Sequence, residues 1–180
     1  MDLKKEILSE ITQVIEAVED EQVNGVLKKM TKSNRIFVVG EGRSGLQGKA
    51  FAMRLMHLGF TSFVVGETIT PSIQEKDLLV AISGSGKTTN VLDVVKKAKK
   101  INVEVIGISS TKDSKLAGIA SFHLLVPGAT KNSENNQSIQ LLSTLFDQSV
   151  HIVLDYICLL LSRQEKISNQ DANEKHSNIE

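Results

Sequence analysis

Apolar residues recur at helical spacing from the start of the chain. Leu3, Ile7, Leu8, Ile11, Val14, Ile15 and Val18 fall on one face, with charged residues between them. A break near Asp20 and Glu21 predicts one long amphipathic helix and a shorter one ending near Met30. Beyond that point the pattern changes. Short apolar runs of strand length occupy residues 35–40, 61–65, 77–83, 103–108 and 122–126. Helical patterns separate them: Leu46 to Leu58, stopped by Gly59; about Thr88 to Lys100; and a short patch around Leu116. Gly42–Gly45 and Gly84–Gly86 read as tight turns. Residues 127–138 are polar and turn-rich, which predicts a loop, and a strong helix is expected from about Ile139 to Leu161. The stretch from Ser162 to Glu180 is polar, and its last dozen residues are expected to fray on composition alone.

Strands alternating with helices imply parallel pairing with right-handed crossovers and helices on both faces. The predicted fold is therefore α/β, a doubly wound three-layer sandwich around a five-stranded parallel sheet. One domain spans 1–180, with N-terminal helices over 1–33 and a C-terminal tail over 166–180. In such sheets ligands bind beyond the carboxyl ends of the strands, at the switch point. That rule puts the turns after the first and third strands side by side.

Composition narrows the choice of partner. Lys and Arg number 21, as do Asp and Glu, and the net charge of zero argues against a general nucleic-acid binder. Aromatic residues make up 4%, too few for a single-strand stacking platform. The single cysteine, Cys158, excludes an intrachain disulfide and a cysteine-based zinc cluster. The four histidines show no ligand spacing, so no metal is expected. His57 reads as an interior or interface residue; His123 and His151 lie in apolar elements and carry no assigned role. The longest apolar runs fall short of a membrane span, and the N-terminus lacks a signal-peptide pattern. A soluble, cytoplasmic protein with no membrane partner is expected.

Two glycine-rich segments invite familiar readings. Gly40-Glu-Gly42-Arg-Ser-Gly45 matches the dinucleotide fingerprint, with Glu67 about 20 positions on, and a small dinucleotide-binding protein is a competing expectation. Ser83-Gly-Ser-Gly-Lys87-Thr88 looks like a phosphate-binding P-loop, but that pattern requires a glycine where Ala81 stands. Taken together the turns suggest something else. Each offers small residues, backbone N–H groups, a hydroxyl and a following helix N-terminus: Ser44 in the first, and Ser83, Gly84, Ser85, Gly86, Lys87 and Thr88 in the second. Helix N-termini and neutral hydroxyl donors accept a phosphomonoester with few cations. Arg43 and Lys87 could also reach such a ligand.

At these residues the chain resembles the sugar isomerase (SIS) domain family, and within it the 6-phospho-3-hexuloisomerase branch. The likeness rests on Gly42-Arg-Ser-Gly45, on Phe51-Ala-Met-Arg-Leu-Met-His-Leu-Gly59, and on Val65-Gly-Glu-Thr68 with Thr70-Pro71. It extends to Ser83-Gly-Ser-Gly86 with Thr88 and to the terminal Lys175-His-Ser-Asn-Ile-Glu180. The resemblance implies the SIS fold with flavodoxin-like strand order and no metal or other cofactor. It implies interconversion of D-arabino-hex-3-ulose 6-phosphate and D-fructose 6-phosphate in the formaldehyde-fixing ribulose monophosphate pathway. A homo-oligomer, a tetramer with a shared active site, is also implied. On that basis Ser44 and the 83–88 turn bind the phosphate. The family's proposed proton acceptor, a Glu in a Phe-Glu-Gln helix start, falls on Asp147 of Phe146-Asp147-Gln148, and its terminal histidine on His176. Glu67 and Glu41 are reserve carboxylates, Glu67 as a substrate contact.

Shifting a carbonyl between neighbouring carbons needs a base near the carbons and a group that moves protons between oxygens. Asp147 and His176 are the expected pair. Asp is one methylene shorter than the family's Glu, and a displacement of about 1 Å can cost ~10²-fold in rate. The preceding Leu141-Leu-Ser-Thr144 also departs from the family's Pro-Met-Gly-Ser. These departures favour, as an alternative, a non-catalytic SIS module that senses a phosphosugar.

Overall fold

The computed structural model describes residues 2–131 and 137–179. Five parallel strands form one sheet in the order β2-β1-β3-β4-β5. They are β1 (Ile36–Gly40), β2 (Ser62–Val64), β3 (Leu78–Ile82), β4 (Glu104–Ser109) and β5 (Phe122–Leu125). The expected α/β sandwich is thus observed. The central strand β3 is buried along its whole length, and this is why it reads as an unbroken apolar run.

Alternate side chains feed two cores. On one face Ile36, Val38, Val80, Ile82, Ile106 and Leu124 pack beneath α1 (Leu3–Glu16), α2 (Asp20–Lys29), α3 (Gly42–His57) and α6 (Thr144–Gln164). On the other, Phe37, Val39, Leu79, Ala81 and Val105 pack against α4 (Thr89–Lys100) and against Leu116 of α5 (Lys115–Ile119). The first helix directs Val14, with Ile11 and Ile15, into the first core.

Three boundaries differ from the sequence expectation. The Gly42–Gly45 segment is the first turn of α3, not a separate turn. A Cβ on Gly45 would sit 2.7 Å from the Gly40 carbonyl oxygen, so glycine is what lets this helix start tight against its strand. The last long helix starts at Thr144 rather than Ile139, because Leu142 takes a left-handed conformation, φ 56°, and Leu141 and Leu142 point into solvent. That helix runs to Gln164 and is long and apolar enough to cross a membrane by composition, contrary to the expectation from short apolar runs. Its buried Phe146, Val150, Val153, Ile157 and Leu161 instead belong to the first core.

The tail is ordered further than composition predicts. Helix α7 (Asn169–Glu174) starts with a reciprocal capping box between Ser168 and Asp171. It lies against α3 of the same chain. His176 stacks on buried His57, ring centroids 5.2 Å apart.

Candidate active site

Beyond the carboxyl ends of β1 and β3 lies an open cleft of about 450 Å³. Three helices begin at its rim. Arg43 and Ser44 come from the first turn of α3, Thr88 is the N-cap of α4, and Thr144 and Asp147 come from the first turn of α6. None of these three N-termini has a side-chain cap. Asp2, Ser114 and Ser168 cap α1, α5 and α7, while α2, away from the cleft, also lacks a side-chain cap. The starts of α3 and α4 bring N–H donors and partial positive charge to the rim, whereas at α6 the Thr144 and Phe146 N–H groups already donate to the Leu141 and Ala129 carbonyls.

The hydroxyls and the acid are arranged around this rim. Ser83 is buried and pairs with Thr88, Oγ to Oγ1 2.8 Å, which occupies the hydroxyl that would otherwise cap α4. Gly84 and Ser85 line the cleft. Gly86 has φ 59°, and a Cβ there would meet Ser114 Cβ at 2.3 Å. Asp147 is 3% exposed, and Ser44 Oγ donates to its Oδ1 at 2.8 Å. Arg43 lies with Nε 3.8 Å from Asp147 Oδ2 and donates from Nη1 to Thr144 Oγ1 at 2.7 Å. Burial pushes the Asp147 carboxyl above the usual carboxylate range, against the opposing pull of the Ser44 hydrogen bond and the Arg43 charge. Glu41 accepts from Asn90 Nδ2 at 2.6 Å and joins the starts of α3 and α4.

Of the residues expected from sequence, Arg43, Ser44, Gly84, Ser85, Thr88 and Asp147 meet in this cleft, with Ser83 and Gly86 shaping its second turn. Lys87 is exposed beside the turn and does not line the cleft; its backbone N–H donates to Ser85 Oγ. Glu67 is not brought in. It pairs with Lys49 at 3.0 Å and lines a separate groove beside β2. His176 lies at the opposite end of α3, about 20 Å away along a helix rising 1.5 Å per residue. Thr130 and Lys131 also line the cleft, and nothing in the local sequence marks them. They are placed by Gly128 packing on Phe146 and by the Lys131 N–H donating to Ser143 Oγ. Among the described residues, no group of three or more His, Cys, Asp or Glu is placed to hold a metal ion.

A sheet in this order, with two hydroxyl-bearing turns and a buried acid at its switch point, defines a class of α/β domains that bind small ligands beyond their strand ends. The chain belongs to the SIS domain family, whose model matches residues 29–152. Relatives narrow the position further. A protein of Archaeoglobus fulgidus is 40% identical over 178 residues and covers 97% of each chain. The 3-hexulose-6-phosphate isomerase of Bacillus subtilis is 33% identical over 177 residues, covering 97% of this chain and 96% of that one. A solved structure from Methanococcus jannaschii, for which a 3-hexulose-6-phosphate isomerase function was inferred, matches with TM-score 0.87. It is 31% identical, with full coverage of both chains.

Proposed function

We propose that this protein is a sugar-phosphate isomerase that interconverts D-arabino-hex-3-ulose 6-phosphate and D-fructose 6-phosphate through an enediol(ate). One observation carries the reading: a buried carboxylate, Asp147, sits on the wall of a cleft ringed by three uncapped helix N-termini. Kinship with enzymes named for this isomerisation supports the same substrate.

The phosphate seats on the second turn, where Ser85, Thr88 and the start of α4 supply neutral donors. Ser44 already donates to Asp147, so its work lies at the carbons rather than at the phosphate. The Asp147 carboxylate takes the proton from C2 of the 3-ulose to give the 2,3-enediolate; a proton then passes from the C2 hydroxyl to the C3 oxygen, and Asp147 returns its proton to C3 as the C2 carbonyl forms. The raised pKa makes Asp147 a stronger base than a solvated carboxylate. Arg43 stands where it offsets charge on the enediolate. Anchoring by phosphate lets remote binding energy position the carbons, which compensates for the short reach of Asp.

His176 serves ring opening or transfer between oxygens. Within one chain it is far from Asp147, so this role requires a homo-oligomer, a tetramer, in which the far end of α3 in one copy meets the cleft of another. The enzyme works in the cytoplasm, in formaldehyde fixation. The direct test supplies formaldehyde, ribulose 5-phosphate and hexulose-phosphate synthase, then follows fructose 6-phosphate. Incubation of fructose 6-phosphate in deuterated water should also place deuterium on carbon. Binding without exchange would make the protein a phosphosugar sensor instead.

A further inference from the structure

The second turn of the cleft is itself held from behind by a segment that a histidine outside the cleft touches through Ser109. The Gly84 carbonyl accepts from the Ser110 N–H at 2.9 Å, and the Gly86 carbonyl accepts from the Leu116 N–H at 3.0 Å. Both donors belong to the β4–α5 segment. In a trans peptide the carbonyl and the next N–H point in opposite directions. With the Gly84 carbonyl tied back, the Ser85 N–H turns toward the cleft. The β4–α5 segment therefore sets the direction of a donor at the proposed phosphate seat.

That segment is pinned at Ser109, which is fully buried. Its hydroxyl touches the Thr111 carbonyl at 3.1 Å, Ser114 Oγ at 2.8 Å and His123 Nε2 at 2.8 Å. A hydroxyl has one proton and two lone pairs. The Thr111 carbonyl can only accept, so the Ser109 proton goes there. Ser114 and His123 must then both donate to Ser109. Ser114 accepts in turn from the Ala117 N–H at 3.1 Å, capping α5. Every contact is satisfied if His123 carries its proton on Nε2. Burial holds the His123 pKa below the ordinary histidine value, so the ring is neutral and has one N–H to give.

We infer that His123, as the Nε2–H tautomer, is a positioning residue that locks the β4–α5 segment through Ser109 and so aims the Ser83–Thr88 turn at its anion. The inference rests on the sugar-phosphate reading for its functional consequence, but its structural content is independent of it. Long-range proton–nitrogen spectra of labelled histidine should show Nε2 protonated and Nδ1 bare; the reverse tautomer overturns the inference. In His123→Phe, amide exchange at Ser110 and Leu116, the donors to the Gly84 and Gly86 carbonyls, should quicken about tenfold, while His123→Gln, which keeps a donor near Nε2, should hold it near the wild-type rate. Unchanged exchange in His123→Phe overturns the inference. If the wild type turns over hexulose phosphate, His123→Phe should raise KM about tenfold with kcat within about twofold, and His123→Gln should restore KM. A fall in kcat at constant KM would also overturn it. A wild type that neither binds nor converts the sugar phosphate removes the functional reading, and the tautomer and exchange measurements still decide the inference.

Discussion

The two ends of α3 each meet a buried ionisable side chain, and the surroundings treat the two differently. At the N-terminal end Asp147 is buried, yet it has a donor in Ser44 and a cation in Arg43. At the C-terminal end His57 is buried under His176, with Arg54 Nη1 3.5 Å from its Nδ1. Burial, then Arg54, then His176 all push the His57 pKa down. Around Asp147 the charge that burial penalises has partial compensation; around His57 every neighbour adds to the penalty. The first arrangement raises the carboxyl's affinity for a proton while keeping partners for its charge, and the second favours the neutral ring. Under the proposed function, one helix separates a chemical end from a structural end, unless a second copy joins them.

The largest effect should come from Asp147→Asn. Turnover in the coupled assay should fall by about 10²–10⁴-fold, with fructose 6-phosphate still bound. Ionising a carboxyl whose folded pKa is raised costs stability, and that cost appears as pH rises through the raised value. The same variant should therefore melt higher than wild type at pH 7, on the order of 2–4 °C. A variant that is both active and no more stable would erase the distinction between the two ends. Deleting residues 171–180 comes next. Turnover should drop by about 10²-fold if His176 joins the chemistry, and light scattering of the intact protein should give a multiple of the chain mass. Full turnover by a single-chain species would leave the far end of α3 purely structural.

A smaller change is expected for Ser44→Ala. Losing the donor to Oδ1 removes an influence that lowers the Asp147 pKa, so the acid limb of kcat/KM should move to higher pH and the rate should fall about tenfold. An unmoved limb would sever Ser44 from the acid. The smallest effect belongs to His57→Gln. Stability tied to a depressed histidine pKa is complete above about pH 6.5 and is lost as pH falls below it. The variant should shrink the drop in melting temperature between pH 7.5 and 5.5 by about 2 °C or less.

Most of the frame was legible in the chain because parallel strands buried on both faces read as continuous apolar runs. The order of strands came from the family resemblance, and right-handed crossovers are compatible with it. The pairing of Ser44 with Asp147 was not legible from spacing, since 103 positions separate them and packing of α3 on α6 creates it. Resemblance supplied Asp147, and geometry supplied its partner. The third helix N-terminus was obscured because Ile139, Leu141 and Leu142 continue a helical pattern that Leu142 breaks with a left-handed backbone. Thr130 and Lys131 stand on a segment whose course is set by distant contacts. The role inferred for His123 comes from counting protons at Ser109, which no linear pattern records.

The glycines that touch Phe146 bear on any effort to change which sugars fit. A Cβ on Gly84 would lie 2.9 Å from the Phe146 ring, and one on Gly128 would lie 2.7 Å from its Cα. Phe146 directly precedes Asp147, so bulk added at either glycine would lever the Asp147 carboxyl out of line along with α6. Leu141 and Leu142 stand at the mouth with their side chains in water, 82% and 74% exposed. Re-tailoring for longer or bulkier ligands belongs there, where the entrance can be redrawn while the spacing between the Ser83–Thr88 turn and Asp147 stays fixed.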